Sequence, residues 1–219
     1  MKDEKYPLEK RAYFFGQYTY SGSLTFPTDI DILTIRFRPL GIPKLTGINM
    51  EYIANGGVAV EDVWFKDFES LYDQMLSAHS IEKAVDILEK YLIAKKNSIV
   101  LSNRKNHILN ALDTIWKRQG NVRIKELQYH ANVSIKTLER TFTDHIGIMP
   151  KQYSRLVRYN AVKNFFNRHS EINDLNAVAL HFGYFDCSHL ISEFKEYSGF
   201  TPKEFYKTTL FDNIVIEHE

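Results

Sequence analysis

The feature that most constrains this chain is a unit written twice between Gly120 and Lys207. Leu138 pairs with Leu190, Phe142 with Phe194, Gly147 with Gly199, Pro150 with Pro202 and Tyr153 with Phe205, all at an offset of 52 residues. Upstream of these the offset drops to 51, pairing Ile124 with Leu175, Leu127 with Val178, Asn132 with Gly183 and Val133 with Tyr184. A repeat with one slipped residue marks a duplicated supersecondary unit in which one turn is a residue longer. Within each copy the large apolar residues fall four apart, the spacing of one helical face. Ser134 and Asp186 stand where N-caps belong, and Gly147 and Gly199 where a helix ends in a left-handed residue. Pro150 and Pro202 then occupy a first helical position, and Thr201-Pro202-Lys203-Glu204 reads as a capping box.

Two helix-turn-helix units joined by a helix over about residues 150–167 satisfy all of these signals. Tyr153, Leu156, Val157, Ala161 and Phe165 suit that helix to packing against both units, and it spans roughly 27 Å at 1.5 Å per residue. In the first copy the buried stripe of Leu138 and Phe142 leaves Lys136, Glu139, Arg140 and Thr143 facing outward. In the second, Leu190 and Phe194 leave Cys187, Ser188, His189 and Ser192 outward.

The runs SIKTLERTFTDHIGIMPKQY and GYFDCSHLISEFKEYSGFTPKEFY resemble the two halves of an AraC-type DNA-binding domain, over about residues 106–207. The FK…G…TP…F run near the C-terminus is the most specific part. The resemblance implies a sequence-specific transcriptional regulator, monomer or homodimer, with double-stranded DNA and RNA polymerase as partners. Its two reading helices would lie in successive major grooves. Three positions depart from the family pattern. Gln128 stands where a small residue usually packs, and Asn132 where glycine usually turns, although asparagine is the next-best residue for positive φ. Ser192 stands where related domains often carry arginine.

A formal net charge of +1 looks unpromising for a nucleic-acid binder until it is divided along the chain. Residues 1–103 carry 12 basic and 14 acidic side chains, residues 104–170 carry 13 and 4, and residues 171–219 carry 3 and 9. The first unit and the connecting helix are therefore strongly basic and the second unit is acidic. Neutralising phosphates supplies the sequence-independent part of DNA affinity, so the first copy is expected to dominate binding. Lys136 and Arg140 are the leading base readers, since arginine grips guanine at two points. Glu139 either accepts from cytosine or pairs with a neighbouring cation. Ser188, His189 and Ser192 complete the base-contact set without a cation. Ser134, Thr137, Lys151, Arg155 and Arg158 are the candidate phosphate contacts. Lys151, Arg155 and Arg158 read equally well as a solvated helix face.

Residues 1–65 read as mostly strand, with RAYFFGQYTY β-prone and IDILTIRFR alternating. Pro27, Pro39, Gly41, Pro43 and Gly47 punctuate them, and Asn55-Gly56-Gly57 makes a tight turn into VAVEDVWF. From about Lys66 the period becomes helical, with Phe68, Leu71, Tyr72, Met75 and Leu76 on one helix and Ile81, Val85, Leu88, Tyr91 and Leu92 on a second. TIRFRPLGIPKLTGI and VEDVW resemble the sensor-side domain that precedes some AraC-type modules. That resemblance implies a cupin-like β domain, here shortened, with a possible site for a small-molecule effector.

The expected fold is thus α+β. A small, mostly-β N-terminal domain with a helical pair (residues 1–98, sensor or dimerisation type) precedes a linker at 99–106. An all-α domain of two helix-turn-helix units joined by a long helix follows at 107–210, then a tail at 211–219.

Other chemistry is poorly supported. There is no glycine-rich phosphate loop, GxSxG elbow or HExxH pair, and the eight histidines fall in no compact ligand spacing. No metal, no cofactor and no enzymatic activity are expected. The single cysteine excludes an internal disulfide and agrees with a reducing cytoplasm. No apolar run is long enough to span a bilayer. Asp29 and Asp31 would share a strand face, but a turn beside them favours solvation. Two rival functions stay open: a protein-interaction module of the same fold using its acidic segment, and a DNA-repair alkyltransferase with Cys187 as nucleophile.

Overall fold

The structure is a computed structural model that describes residues 10–22, 32–97, 106–169 and 174–209. Its C-terminal part is built on one long helix, α8 (Pro150–Arg168), gripped from two sides. Pro150, Tyr153 and Ser154 are buried at one end of this helix, and Tyr159, Val162 and Phe166 at the other. Apolar residues thus point nearly all ways round it, as a helix packed on two partners requires.

The first unit comprises α5 (Asn106–Lys117), α6 (Ile124–Ala131) and α7 (Ile135–Ile146). Ile108, Leu112, Ile115, Leu127, Leu138 and Phe142 are fully buried in its core. Each such side chain stabilises the fold by about 1.5–3 kcal/mol. The second unit comprises α9 (Leu175–His181), α10 (Cys187–Ser198) and α11 (Pro202–Thr209). Its core gathers Val178, Ala179, Phe182, Tyr184, Leu190, Phe194 and Tyr197 on the far half of α8. Leu156 touches both cores.

The written repeat is a structural one. α7 and α10 are each 12 residues long and begin 52 residues apart. The slipped residue is Phe185, which lengthens the second turn and stands 85% exposed. Asn132 (φ 53°) and Gly183 (φ 73°) make the equivalent left-handed turns, so asparagine does take the place of glycine. The capping box also forms, with the Thr201 N–H donating to Glu204 Oε2 at 2.7 Å and the Glu204 N–H to Thr201 Oγ1 at 3.3 Å.

The N-terminal part is far less β than its alternation suggests. Among the described residues its sheet has two strands, β1 (Tyr13–Phe15) and β2 (Gly57–Ala59), antiparallel with Phe14 opposite Val58. Residues 32–38 run without regular structure, and Ile32, Leu33 and Ile35 face solvent. Alternation makes a strand only where a neighbour can pair its N–H and C=O groups. GIPKLT forms α1 (Gly41–Thr46), and VEDV forms α2 (Val60–Val63), whose first turn carries Glu61 and Asp62 against the helix dipole. The two strands among the described residues do not by themselves close a barrel. The helical pair is present as α3 (Phe65–Leu76) and α4 (Ile81–Asn97), although Leu76 and Ile81 flank the turn between them and are exposed. Phe14, Met50, Ile53, Val60, Trp64 and Phe68 form the local core. Asp29, Asp31 and most of the 99–106 linker lie outside the described residues; Asn106 opens α5.

This part packs against both units at places the repeat makes equivalent. Leu40 (φ 70°) is 2% exposed and belongs to the core of the first unit. Asn49 Nδ2 donates to Asp144 Oδ1 at 3.2 Å, while the Ser21 N–H donates to the Glu196 carbonyl at 3.1 Å. Asp144 and Glu196 are 52 residues apart. So are Gly147, which abuts the Met50 carbonyl, and Gly199, which abuts Ser21. The two gripping segments are tied together, since the Thr19 N–H donates to Asn55 Oδ1 at 2.7 Å and the Asn55 N–H to the Gln17 carbonyl at 2.9 Å.

Candidate nucleic-acid interface

α7 is started by Ser134, whose hydroxyl accepts from the Thr137 N–H at 3.1 Å and lies 2.9 Å from the Thr137 hydroxyl. It is stopped by Gly147 (φ 91°), whose N–H reaches the Phe142 and Thr143 carbonyls. Between these caps the buried stripe of Leu138, Phe142 and Ile146 fixes the rotation of the helix about its axis. Lys136 and Arg140 are thereby held outward and exposed, with Thr137 and Glu139 half-buried beside them. Glu139 has no ion-pair partner among the described residues, so its carboxylate is not neutralised by a neighbouring cation of the fold. The result is a ridge with two free cations along the first two turns of α7.

α10 is started by Asp186, whose carboxylate accepts from the His189 N–H at 2.8 Å, and stopped by Gly199 (φ 80°). The Cys187 N–H donates to Asn176 Oδ1 at 3.2 Å, joining the two helices of the second unit. Ser188, His189 and Ser192 are exposed, and Cys187 is half-buried. The His189 ring stands edge-on to Tyr184, 5.2 Å between centroids. This surface carries hydroxyls and an imidazole where α7 carries cations.

Two of the expected phosphate contacts are placed elsewhere. Arg155 Nε donates to Glu193 Oε2 at 2.7 Å, and its Nη2 donates to Glu196 Oε2 at 2.6 Å. Arg158 Nη2 reaches both Glu193 oxygens, at 2.9 and 2.8 Å, and its Nε reaches Oε1 at 3.1 Å. Arg158 also lies over the Tyr184 ring, 4.1 Å from its centroid. Its side chain is only 13% exposed, and that of Arg155 31%. Both guanidinium groups are therefore engaged across the junction of α8 and α10. Lys151 stays exposed near the start of α8.

Glu193, their partner, is 2% exposed and turned inward, away from the second reading surface. The Tyr184 hydroxyl completes its shell, donating to Oε1 at 2.9 Å. Burial alone would push this carboxyl up, but hydrogen bonds from Arg158 and Arg155 outweigh that and hold it below the usual carboxylate range. The surrounding tyrosines respond oppositely, with burial pushing the Tyr159 and Tyr197 hydroxyls up to about 12.

The sequence contained a signal for this cluster. Leu190, Phe194 and Tyr197 define a stripe at i, i+4 and i+7, and Glu193 fills its i+3 position. A carboxylate inside an apolar stripe calls for buried cations, and Arg155 and Arg158 face it from one side of α8.

Among the described residues no three His, Cys, Asp or Glu side chains are grouped to hold a metal ion, and no helix is long and apolar enough to cross a membrane.

Residues 129–208, a little over a third of the chain, match the family model of a helix-turn-helix domain. The match runs from the end of α6 through α11 and so contains both candidate reading helices. It supports a DNA-binding transcription regulator in general. No curated protein and no solved structure matches the chain.

Proposed function

We propose that the chain binds duplex DNA sequence-specifically as a transcriptional regulator and that α7 supplies most of the affinity. The observation that carries this reading is the pair Lys136 and Arg140, unpaired and exposed on a helix whose opposite face is locked in a core. In this reading Lys136, Arg140 and Glu139 meet base edges, and Ser188, His189 and Ser192 make weaker polar contacts in a second groove segment. Ser134, Thr137 and Lys151 contact the backbone. The absence of formal charge at Ser188, His189 and Ser192 supports the ranking of the two.

The N-terminal part would act on presentation of the readers. It touches both units at repeat-equivalent positions through segments hydrogen-bonded to each other, so a ligand or partner that shifts one segment moves the other. RNA polymerase remains the proposed partner for activation, and pairing into a homodimer is compatible with either arrangement.

The test is fluorescence anisotropy of the full chain with labelled duplexes drawn from DNA flanking its coding region, repeated over a salt series. Binding should weaken steeply with salt, and Arg140→Ala should cost more than Ser188→Ala. A chain indifferent to duplex DNA at low ionic strength would refute the reading. A protein-interaction module would show that indifference, or binding insensitive to Lys136 and Arg140.

A further inference from the structure

The two reading helices do not touch α8 in the same way, and the difference points to a residue that sets their relative placement. α7 rests on it through apolar contacts, among them Phe142 on Tyr153, 6.0 Å between ring centroids. α10 adds a buried carboxylate with its hydrogen bonds made from two directions. Glu193 receives Arg155 and Arg158 from α8 and the Tyr184 hydroxyl from the turn that precedes α10. Apolar contacts tolerate small rotations, because dispersion has no preferred direction. A carboxylate held by forked guanidinium groups does not, since rotation of α10 breaks several charge-assisted bonds together.

The connection continues to the reading surface. Tyr184, fixed through its hydroxyl by Glu193 and through its ring by Arg158, forms the wall against which His189 stands. Ser192 is the neighbour of Glu193 in the chain. Arg158 further donates to the Gly183 carbonyl at 3.4 Å, binding the turn itself to α8. On the other flank Arg155 reaches Glu196, whose carbonyl accepts from Ser21 of the N-terminal part.

We infer that Glu193 is a positioning residue: its buried carboxylate fixes the angle at which α10 presents Ser188, His189 and Ser192 relative to α7, and so fixes the separation of the two DNA half-sites that one chain accepts. The inference rests on the DNA-binding reading and adds to it a geometric selectivity. A second reader whose contacts at Ser188, His189 and Ser192 carry no formal charge has less affinity of its own, with Lys195 alone as an exposed cation in its last turn, so its contribution depends on arriving in register when α7 is seated. Loosening the junction should then widen the accepted spacing while leaving recognition by α7 intact.

The experiment selects from a pool of 35-base-pair duplexes with randomised centres, using the full chain and its Glu193→Gln variant. The wild type should enrich two half-sites at one separation, with about a tenfold preference over sites spaced one base pair differently. Glu193→Gln should keep the first half-site and lose most of that spacing preference. Glu193→Asp, which retains the charge, should recover part of it. A cooperative thermal melt establishes that each variant folds. Should Glu193→Gln fail to fold, Arg155→Gln at the more exposed edge of the cluster carries the same expectation. If a folded variant enriches both half-sites at the wild-type separation with undiminished preference, the inference falls and the DNA-binding reading stands. If the wild type enriches no sequence, both fall.

Discussion

The reading helices of the two units share their length, their side-chain and glycine caps and the placement of their largest core residues, yet they are held and charged by different means. In the first, Thr141 occupies the position equivalent to Glu193, and its hydroxyl bonds only the Thr137 carbonyl of its own helix. Lys136 and Arg140 of α7 are left for solvent or for a ligand. In the second, two arginines turn inward to neutralise a buried carboxylate, and the outer face of α10 keeps one exposed cation, Lys195, in its last turn. One backbone plan therefore yields a reader that attracts phosphate and a reader that must be positioned. Where a duplicated unit keeps its apolar skeleton, the polar residues in the stripe decide what each copy can do.

The sharpest way to break this comparison is to remove the inward cation. Arg158→Ala leaves Glu193 buried with one partner fewer, which should destabilise the fold by about 3–5 kcal/mol in urea unfolding. Thr141→Val at the equivalent place on α7 should change stability by less than about 1 kcal/mol. Acid gives the same contrast. Because the Glu193 carboxyl sits below its ordinary value in the folded chain, it stabilises at pH above the usual carboxylate range. That contribution is lost as pH falls through the depressed value. Melting temperature should therefore drop on acidification, and Glu193→Gln should flatten that part of the profile. A parallel drop in the variant would place the acid sensitivity elsewhere.

Binding should reverse the order. Arg140→Ala is expected to weaken duplex binding by about 1–3 kcal/mol, roughly five- to 150-fold, while Ser188→Ala costs under about threefold. Ser192→Arg would sharpen the point by giving the second reader a cation. Its affinity gain should come with a steeper salt dependence. Equal losses from Arg140→Ala and Ser188→Ala, measured by anisotropy, would erase the asymmetry.

How much of this was legible follows from what each signal depends on. The caps, the glycines and the Leu138, Phe142, Leu190 and Phe194 stripe were readable because each is a local demand of a helix and the repeat states it twice. The match over residues 129–208 falls on this part. The ion pairs of Arg155 and Arg158 were not legible because a helix pattern shows which side a residue takes, not what stands opposite it. Their partner lies 35 to 38 residues away. Tyr159, Val162 and Phe166 were missed because α8 is gripped from two sides and shows no single stripe. At the N-terminus the alternation at Ile32, Thr34 and Arg36 was real, but strand formation depends on a pairing partner that local sequence does not supply. The packing of Leu40 in the core of the first unit had no local signal at all.

The glycines that end the two reading helices extend the comparison to the N-terminal part. Both have positive φ, so alanine is strained at either. A Cβ on Gly147 would sit 2.6 Å from the Met50 carbonyl, whereas on Gly199 its nearest neighbour is the movable Ser21 hydroxyl at 3.2 Å. Gly147→Ala should therefore cost about 2–3 kcal/mol and Gly199→Ala about 1 kcal/mol. Comparable melting temperatures for the two variants would mean that the Met50 segment yields easily, weakening the view that the N-terminal part grips the first unit firmly.

The smallest expected effect isolates charge from capping. Ser134 and Asp186 perform the same service for α7 and α10, each accepting a backbone N–H three residues on. Either side chain replaced by alanine should cost about 1 kcal/mol. Beside DNA the two are not equivalent, because Asp186 brings a negative charge to the N-terminal end of a reading helix, where a phosphate would otherwise be favoured. Asp186→Ser keeps a cap and removes that charge, so stability should change by less than about 0.5 kcal/mol while duplex affinity rises a few-fold at low salt. The gain should vanish at high salt, where exposed charges are screened. An affinity unchanged at every salt concentration would show that the start of α10 never comes near the phosphate backbone, and would leave α7 as the whole of the interface.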